Sequence, residues 1–117
     1  MVKVIIDLIE ELRAEINNQG DFTFLAMLLK EDESGDMQLV GEKAISRVGI
    51  VANELIFYVD VKERIVFVGP VLKMIDELEN SEMMMEVKVS VSEQKFDIVG
   101  FGKAEKEKHF VIFIEAK

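Results

Sequence analysis

Residues 83–92 read MMMEVKVSVS, and this stretch decides the fold class. The odd positions are all apolar, and from Glu86 onward the even positions are polar. A period of two is typical of a strand that buries one face and exposes the other. We therefore predict a half-exposed antiparallel strand, with Met83 and Met85 facing the core and Met84 facing outward.

Two more strands follow in this last part of the chain. Short polar segments at 93–94 and 104–108 precede apolar stretches at 95–103 and 109–115. Consecutive strands joined by short turns form a meander, so we expect three antiparallel neighbours.

Upstream, two segments repeat apolar residues every three or four positions, as helices with one buried face do. The first covers about residues 3–18 and ends before Gly20, a residue type that suits the position after a helix. The second covers about residues 70–80 and begins with Pro70, which needs no backbone N–H in a first helical turn. The apolar stripes are Ile5, Leu8, Ile9, Leu12 and Ile16 in the first helix and Val71, Met74, Ile75 and Leu78 in the second.

The segment between the helices is predicted to be mostly strand. Residues 22–30 are apolar on both faces and predict a central strand. A polar turn at 31–36 leads into a returning strand that begins at 37–40. Residues 55–60 and 64–69 predict a hairpin whose second strand is also central.

Residues 42–54 are ambiguous between a short helix and a strand. Their apolar residues fit helical spacing, but Gly49 would cost a helix about 1 kcal/mol relative to Ala. Val48 and Ile50 are β-branched and favour extended backbone. The strand is slightly favoured.

These elements together predict an α+β fold. We expect a mostly antiparallel twisted sheet of about six to seven strands, with both helices packed on one of its faces. The chain has 117 residues, half of them apolar, so a single domain over residues 1–117 is expected.

The net charge of −9 is unevenly distributed. Residues 1–36 hold nine acidic residues against three basic ones, a net charge of −6. Such a surface repels phosphate backbones and anionic lipids, which argues against binding to nucleic acid or a membrane and favours a basic protein partner. No stretch approaches the roughly 20 apolar residues of a membrane span, and no signal-peptide pattern is present, so a cytoplasmic protein is expected.

Few residues could carry out chemistry. The chain has no Cys or Trp, and its single His is His109, with no acid partner at a recognisable spacing. The acidic turn at 31–36 lacks the glycine and glutamate positions of a calcium loop. The motif Gly100-Phe101-Gly102 lacks the third glycine and the following helix of a phosphate cradle, so a bulge or close packing explains its glycines better. We therefore predict no catalytic residue, no cofactor and no metal site.

The favoured hypothesis is a non-enzymatic acidic protein-binding module of the adaptor, inhibitor or chaperone type, and we expect it to be a homodimer. The first helix carries the candidate partner contacts Asp7, Glu10, Glu11 and Glu15. Met84 joins them, because an exposed thioether suits a surface that accepts variable apolar partners. Two alternatives remain open: a small-ligand-binding domain with an apolar cavity, and a structural component of a larger assembly.

Overall fold

The computed structural model describes residues 2–15, 22–59 and 65–115. Within these ranges the chain forms two α-helices, one 3₁₀ helix and seven strands, which confirms the α+β class. The helices are α1 (Ile5–Glu15), α2 (Val68–Asp76) and the 3₁₀ helix (Asn80–Met84). The strands are β1 (Thr23–Glu31), β2 (Met37–Ala44), β3 (Arg47–Val51), β4 (Glu54–Val59), β5 (Glu86–Val91), β6 (Gln94–Ala104) and β7 (His109–Glu115).

The strands form a mixed sheet in the order β2-β1-β7-β6-β5-β4-β3. The prediction of a mostly antiparallel sheet is wrong, because β1 pairs with β7 and β4 pairs with β5 in parallel. The second parallel pair has a clear cause: α2 lies between β4 and β5, and such a long crossover lets two strands run in the same direction. The predicted meander of β5, β6 and β7 is confirmed as two antiparallel pairs.

The sheet curls until its two edges meet. Strands β2 and β3 lie at opposite edges, yet only Ile45 and Ser46 separate them in the chain. The Ile45 N–H donates to the carbonyl of Phe24 in β1 (3.4 Å), and the Ser46 N–H donates to the carbonyl of Tyr58 in β4 (2.9 Å). Residues 37–51 therefore act as one bent strand that crosses from β1 to β4. The favoured strand interpretation of residues 42–54 is confirmed.

Both helices contribute to the core. The buried residues of α1 are Ile5, Leu8, Ile9 and Leu12, and those of α2 are Val68, Val71, Leu72 and Ile75. They belong to the same apolar cluster as the strand residues Phe24, Phe57, Val89, Phe110 and Ile112. The predicted buried stripe of α1 is confirmed over the described residues, and Ile16 lies outside them. That both helices lie on one face of the sheet stays a prediction.

The predicted strand at 64–69 is wrong. Residue 64 lies outside the described residues, α2 begins at Val68, and Phe67 makes only an isolated bridge to Thr23. The Phe24 N–H donates to the carbonyl of Val66 (3.1 Å), and the Val68 N–H donates to the carbonyl of Phe22 (2.9 Å). This segment touches β1 only briefly before Pro70 falls in the first turn of α2, where a missing N–H costs nothing.

The predicted strand from residue 83 begins later, at Glu86. Met83 and Met84 belong to the 3₁₀ helix instead. Its start is fixed by a capping box, in which the side chains of Glu79 and Glu82 each accept a bond from the other residue's backbone. Reciprocal capping satisfies backbone donors that would otherwise be unpaired, and this local gain overrides the alternating pattern.

Gly102 marks a close approach between neighbouring strands. A side chain added there would place its Cβ 2.9 Å from Cε2 of Phe113 on β7. The ladder between β6 and β7 also shifts register between Ile98 and Gly100. The glycines of this motif therefore serve a bulge and close packing, as their position inside a strand predicts.

Candidate functional site

The beginning of α1 is held against the beginning of β5. The Ile5 N–H donates to the carbonyl of Met85, and the Val87 N–H donates to the carbonyl of Lys3, both over 3.0 Å. Val4 and Glu86 form an antiparallel bridge between these two bonds. This short pairing brings the 3₁₀ helix, and with it Met84, beside the first turn of α1.

Asp7 fixes the first turn of α1. Its Oδ2 accepts a hydrogen bond from the backbone N–H of Val4 (2.9 Å). A carboxylate here satisfies a free donor and also lies near the positive end of the helix dipole, which stabilises the helix. The Asp7 carboxylate therefore has a structural role at the start of α1.

A groove of about 310 Å³ lies between α1 and the 3₁₀ helix. We call it the α1–Met84 groove; its lining residues are Val2, Lys3, Val4, Ile6, Asp7 and Met84. Met84 is 65% exposed and Ile6 is 42% exposed, so two large apolar side chains face solvent at this place. The structure thus brings together two of the predicted contacts, Asp7 and Met84, which are far apart in the sequence.

The other predicted contacts on α1 differ in exposure and in position along the helix. Glu10 is exposed and Glu11 is half-buried. Glu15 is the last residue of α1. Glu10 and Glu11 are not among the residues that line the groove, and the side chain of Glu15 lies outside the described part of the structure. On the same helix, Nη2 of Arg13 contacts Oδ1 of Asp76 on α2 at 3.2 Å, an exposed pair that contributes little stability.

The segment that carries Met84 is acidic. Residues 76–86 contain five acidic residues and no basic one: Asp76, Glu77, Glu79, Glu82 and Glu86. Of these, Glu82 belongs to the 3₁₀ helix together with Met84, and Glu86 pairs with Val4 of the groove lining. Among the residues that the structure describes, Lys3 is the one basic residue in the groove lining. An approaching basic segment would therefore be attracted, and an acidic one repelled.

The charged residues on β4, β5 and β6 form a different arrangement, in which acids and bases are paired. Lys88 contacts Asp97 closely and lies 3.9 Å from Glu86, and Lys95 contacts Glu54 at 2.7 Å. The hydrogen bond from Lys88 to Asp97 raises the pKa of the lysine above its ordinary value. The two lysines therefore offset part of the acidic charge on this part of the sheet, including that of Glu86.

His109 has a structural contact. Its Nδ1 lies 3.0 Å from the hydroxyl oxygen of Thr23 across the parallel pair of β7 and β1. Within residues 2–15, 22–59 and 65–115, no three His, Cys, Asp or Glu side chains come together in a way that could hold a metal ion.

In the acidic turn after β1, the Asp32 carboxylate is hydrogen-bonded by other residues of the turn and by Gln38. Oδ1 of Asp32 accepts bonds from the backbone N–H groups of Ser34 and Asp36 (both 2.9 Å) and from the Ser34 hydroxyl (2.7 Å). Its Oδ2 accepts a bond from the side-chain amide of Gln38 (2.9 Å). The Ser34 hydroxyl is the largest of the causes that lower the pKa of this carboxyl. The turn is thus ordered by its own donors.

A second concave region lies between β2 and β5 of the curled sheet, where no site was predicted. It consists of an open cleft of about 550 Å³ and an adjoining apolar pocket of about 120 Å³. The pocket is well below the roughly 300 Å³ of a drug-sized ligand site. No local motif marks this region, because its walls come from two hairpins that are distant in the sequence.

No helix of the described segments is long and apolar enough to cross a membrane. No known family model matches this chain, and neither the curated proteins nor the solved structures contain a significant match to it.

Proposed function

We propose that this protein is a non-enzymatic binding module that engages a basic protein segment through the α1–Met84 groove. The observation that carries the proposal is the presence of two exposed apolar side chains, Ile6 and Met84, in a groove with acidic surroundings. The expected ligand is a segment with one apolar anchor residue flanked by Lys or Arg.

The two kinds of contact have different roles. Burying a side chain such as Met84 or Ile6 contributes about 1.5–3 kcal/mol, whereas an exposed ion pair contributes about 0.2–1 kcal/mol. The apolar groove is therefore the main source of affinity. The acidic residues around it select basic partners and speed their approach, an effect that salt weakens.

The test uses a defined set of synthetic peptides, each with a central Leu or Phe flanked by Lys and Arg. We expect the Met84→Glu variant to bind them at least tenfold more weakly than the wild type. The matched control is Met37→Glu, which adds the same charge at a 45% exposed methionine on β2. Binding of the basic peptides should also weaken as salt is raised, and peptides with Glu in place of Lys and Arg should not bind.

Three results would contradict the proposal: equal binding by both variants, affinity independent of salt, or equal binding of the acidic peptides. His109→Ala should leave peptide binding unchanged, because His109 is on β7 and is not part of the groove lining. Loss of a measured activity in that variant would instead favour an enzymatic role.

We further propose that the protein forms a homodimer through the outer face of β1 and β7. Leu25, Met27 and Leu29 alternate along β1 with the core residues Phe24 and Ala26, so they lie on the opposite face. Leu25 and Met27 pair with Val111 and Phe113 on β7, and Leu29 pairs with Glu115. Two copies that each carry −9 repel one another, and the apolar stretch around Met27 and Phe113, with Glu42 and Glu115 at its border, is a surface on which they can meet.

A further inference from the structure

The second concave region separates two hairpins of the curled sheet. On one side are β1 and β2, and on the other are β5 and β6, with Ile114 of β7 between them. The inner part is the apolar pocket of about 120 Å³, and its lining residues are Ala26, Leu28, Val40, Gly41, Lys43, Val91, Phe96 and Ile114. Apart from Lys43, every described residue of this lining has an apolar side chain or none.

The open cleft begins where the apolar pocket ends. Lys43 and Val91 line both, so they lie at the boundary between them. The cleft is also lined by Ser90 and Ser92, whose hydroxyls can donate hydrogen bonds. The lining thus changes from apolar in the pocket to partly polar in the cleft.

Two basic side chains line the described part of the cleft. Lys43 is joined in the cleft lining by Arg47, whose guanidinium carbon lies 4.0 Å from the ring centre of Tyr58. Glu93 is the single acidic residue among the described residues of this lining. Glu42, next to Lys43 in the chain, pairs with Met27 and therefore faces the other side of the sheet.

We propose that this region binds a small aliphatic carboxylate, with its tail in the apolar pocket and its carboxylate beside Lys43. The size of the pocket sets the tail length. A water molecule in the liquid occupies about 30 Å³, so the pocket holds about four atoms of that size. A chain of about five carbons, counting the carboxyl carbon, matches this space, and a chain twice as long does not.

The charge and length requirements are tested by NMR titration of the wild-type protein with four probes: pentanoate, pentylammonium, pentan-1-ol and decanoate. Saturable shifts of the Leu28, Val40, Val91 and Ile114 methyl groups are expected with pentanoate. Pentylammonium and decanoate should bind at least tenfold more weakly, and pentan-1-ol severalfold more weakly. Absence of saturation by pentanoate at tens of millimolar, or equal binding of pentylammonium, would overturn the proposal.

Filling the pocket provides an independent test. Gly41 pairs with Leu28 on the core-facing side, and a Cβ added at Gly41 meets nothing within 4 Å. Gly41→Val should therefore fold and occupy the space of the tail, reducing pentanoate affinity at least tenfold. Gly69→Val is the matched control, because a Cβ there also meets open space but lies in α2. Equal pentanoate binding by Gly41→Val and the wild type would overturn the proposal.

A second variant keeps the test decisive if Gly41→Val does not fold. Val40 is 52% exposed and lines the apolar pocket, so Val40→Glu places a negative charge beside the aliphatic tail of the bound carboxylate. Leu39→Glu adds the same charge at a 51% exposed neighbour that pairs with Leu29 on the outer face. Only Val40→Glu should weaken pentanoate binding, by about fivefold or more. Within the described part of the chain the region shares no lining residue with the α1–Met84 groove, so the two sites can fail independently.

Discussion

The rings of Phe24 and Phe57 lie with their centres 4.9 Å apart and their planes inclined at 50°. Phe24 belongs to β1 and Phe57 to β4, and three strands separate these two in the order of the sheet. A flat sheet would hold them about 19 Å apart, since neighbouring strands are about 4.8 Å apart. The contact therefore shows directly how far the sheet curls around its core.

We predict that this ring contact can be measured as a coupling energy. Phe24→Leu and Phe57→Leu each remove the ring but keep an apolar side chain, so both variants should fold. In a double-mutant cycle by urea denaturation, the two changes should be non-additive by about 0.5–1.5 kcal/mol, the usual value of an aromatic pair. Additive changes in the free energy of unfolding would mean that the rings do not contact one another in solution.

Local patterns were sufficient to predict most of the elements. The helical stripe that contains Leu12 and the alternation around Val87 and Val89 depend on neighbours within one turn or one strand. The 3₁₀ helix before Glu86 was missed because the capping box of Glu79 and Glu82 competes with that alternation over the same few residues.

Long-range neighbours could not be predicted in the same way. The parallel pair of β1 and β7 joins segments near opposite ends of the chain, and no spacing within either segment indicates it. The candidate sites could not be predicted from local sequence patterns either. Asp7 and Met84 were each noticed for their own chemistry, but the groove that unites them depends on the pairing of Val4 with Glu86. The pocket at Lys43 was missed because it exists only once the sheet curls.

The buried face of α1 gives a prediction about stability. Leu12 is completely buried, whereas Ala14 on the same helix is exposed. Leu12→Asp places an unpaired charge in the core and removes apolar contacts, so it should lower the free energy of unfolding by about 4 kcal/mol or more. Ala14→Asp introduces the same side chain and should change it by less than about 1 kcal/mol. Thermal melting of both variants measures the difference, and similar melting temperatures would mean that α1 buries another face.

The turn after β1 gives a prediction about pH. Hydrogen bonds led by the Ser34 hydroxyl hold the pKa of Asp32 below its ordinary value. Because the folded-state pKa is the lower one, the stabilisation is complete above the ordinary carboxyl pKa of about 4. It is lost as the pH falls through that value to the folded one. NMR titration of the side-chain carboxyl should show this low pKa and its rise in Ser34→Ala. Ser81→Ala, in the 3₁₀ helix, should leave it unchanged, and an unaltered pKa in Ser34→Ala would contradict the assignment.

The proposed dimer gives the last prediction. Met27 is half-buried in the monomer and lies in the middle of the outer row on β1, paired with Phe113 of β7. Met27→Glu would place two like charges close together across a symmetric interface, so sedimentation velocity should show a monomer at concentrations where the wild type is a dimer. Met84→Glu adds the same charge at the groove and should leave the sedimentation coefficient unchanged. A wild type that stays monomeric at all concentrations, or a Met27→Glu variant that still dimerises, would show that the outer face of β1 and β7 is not the contact between copies.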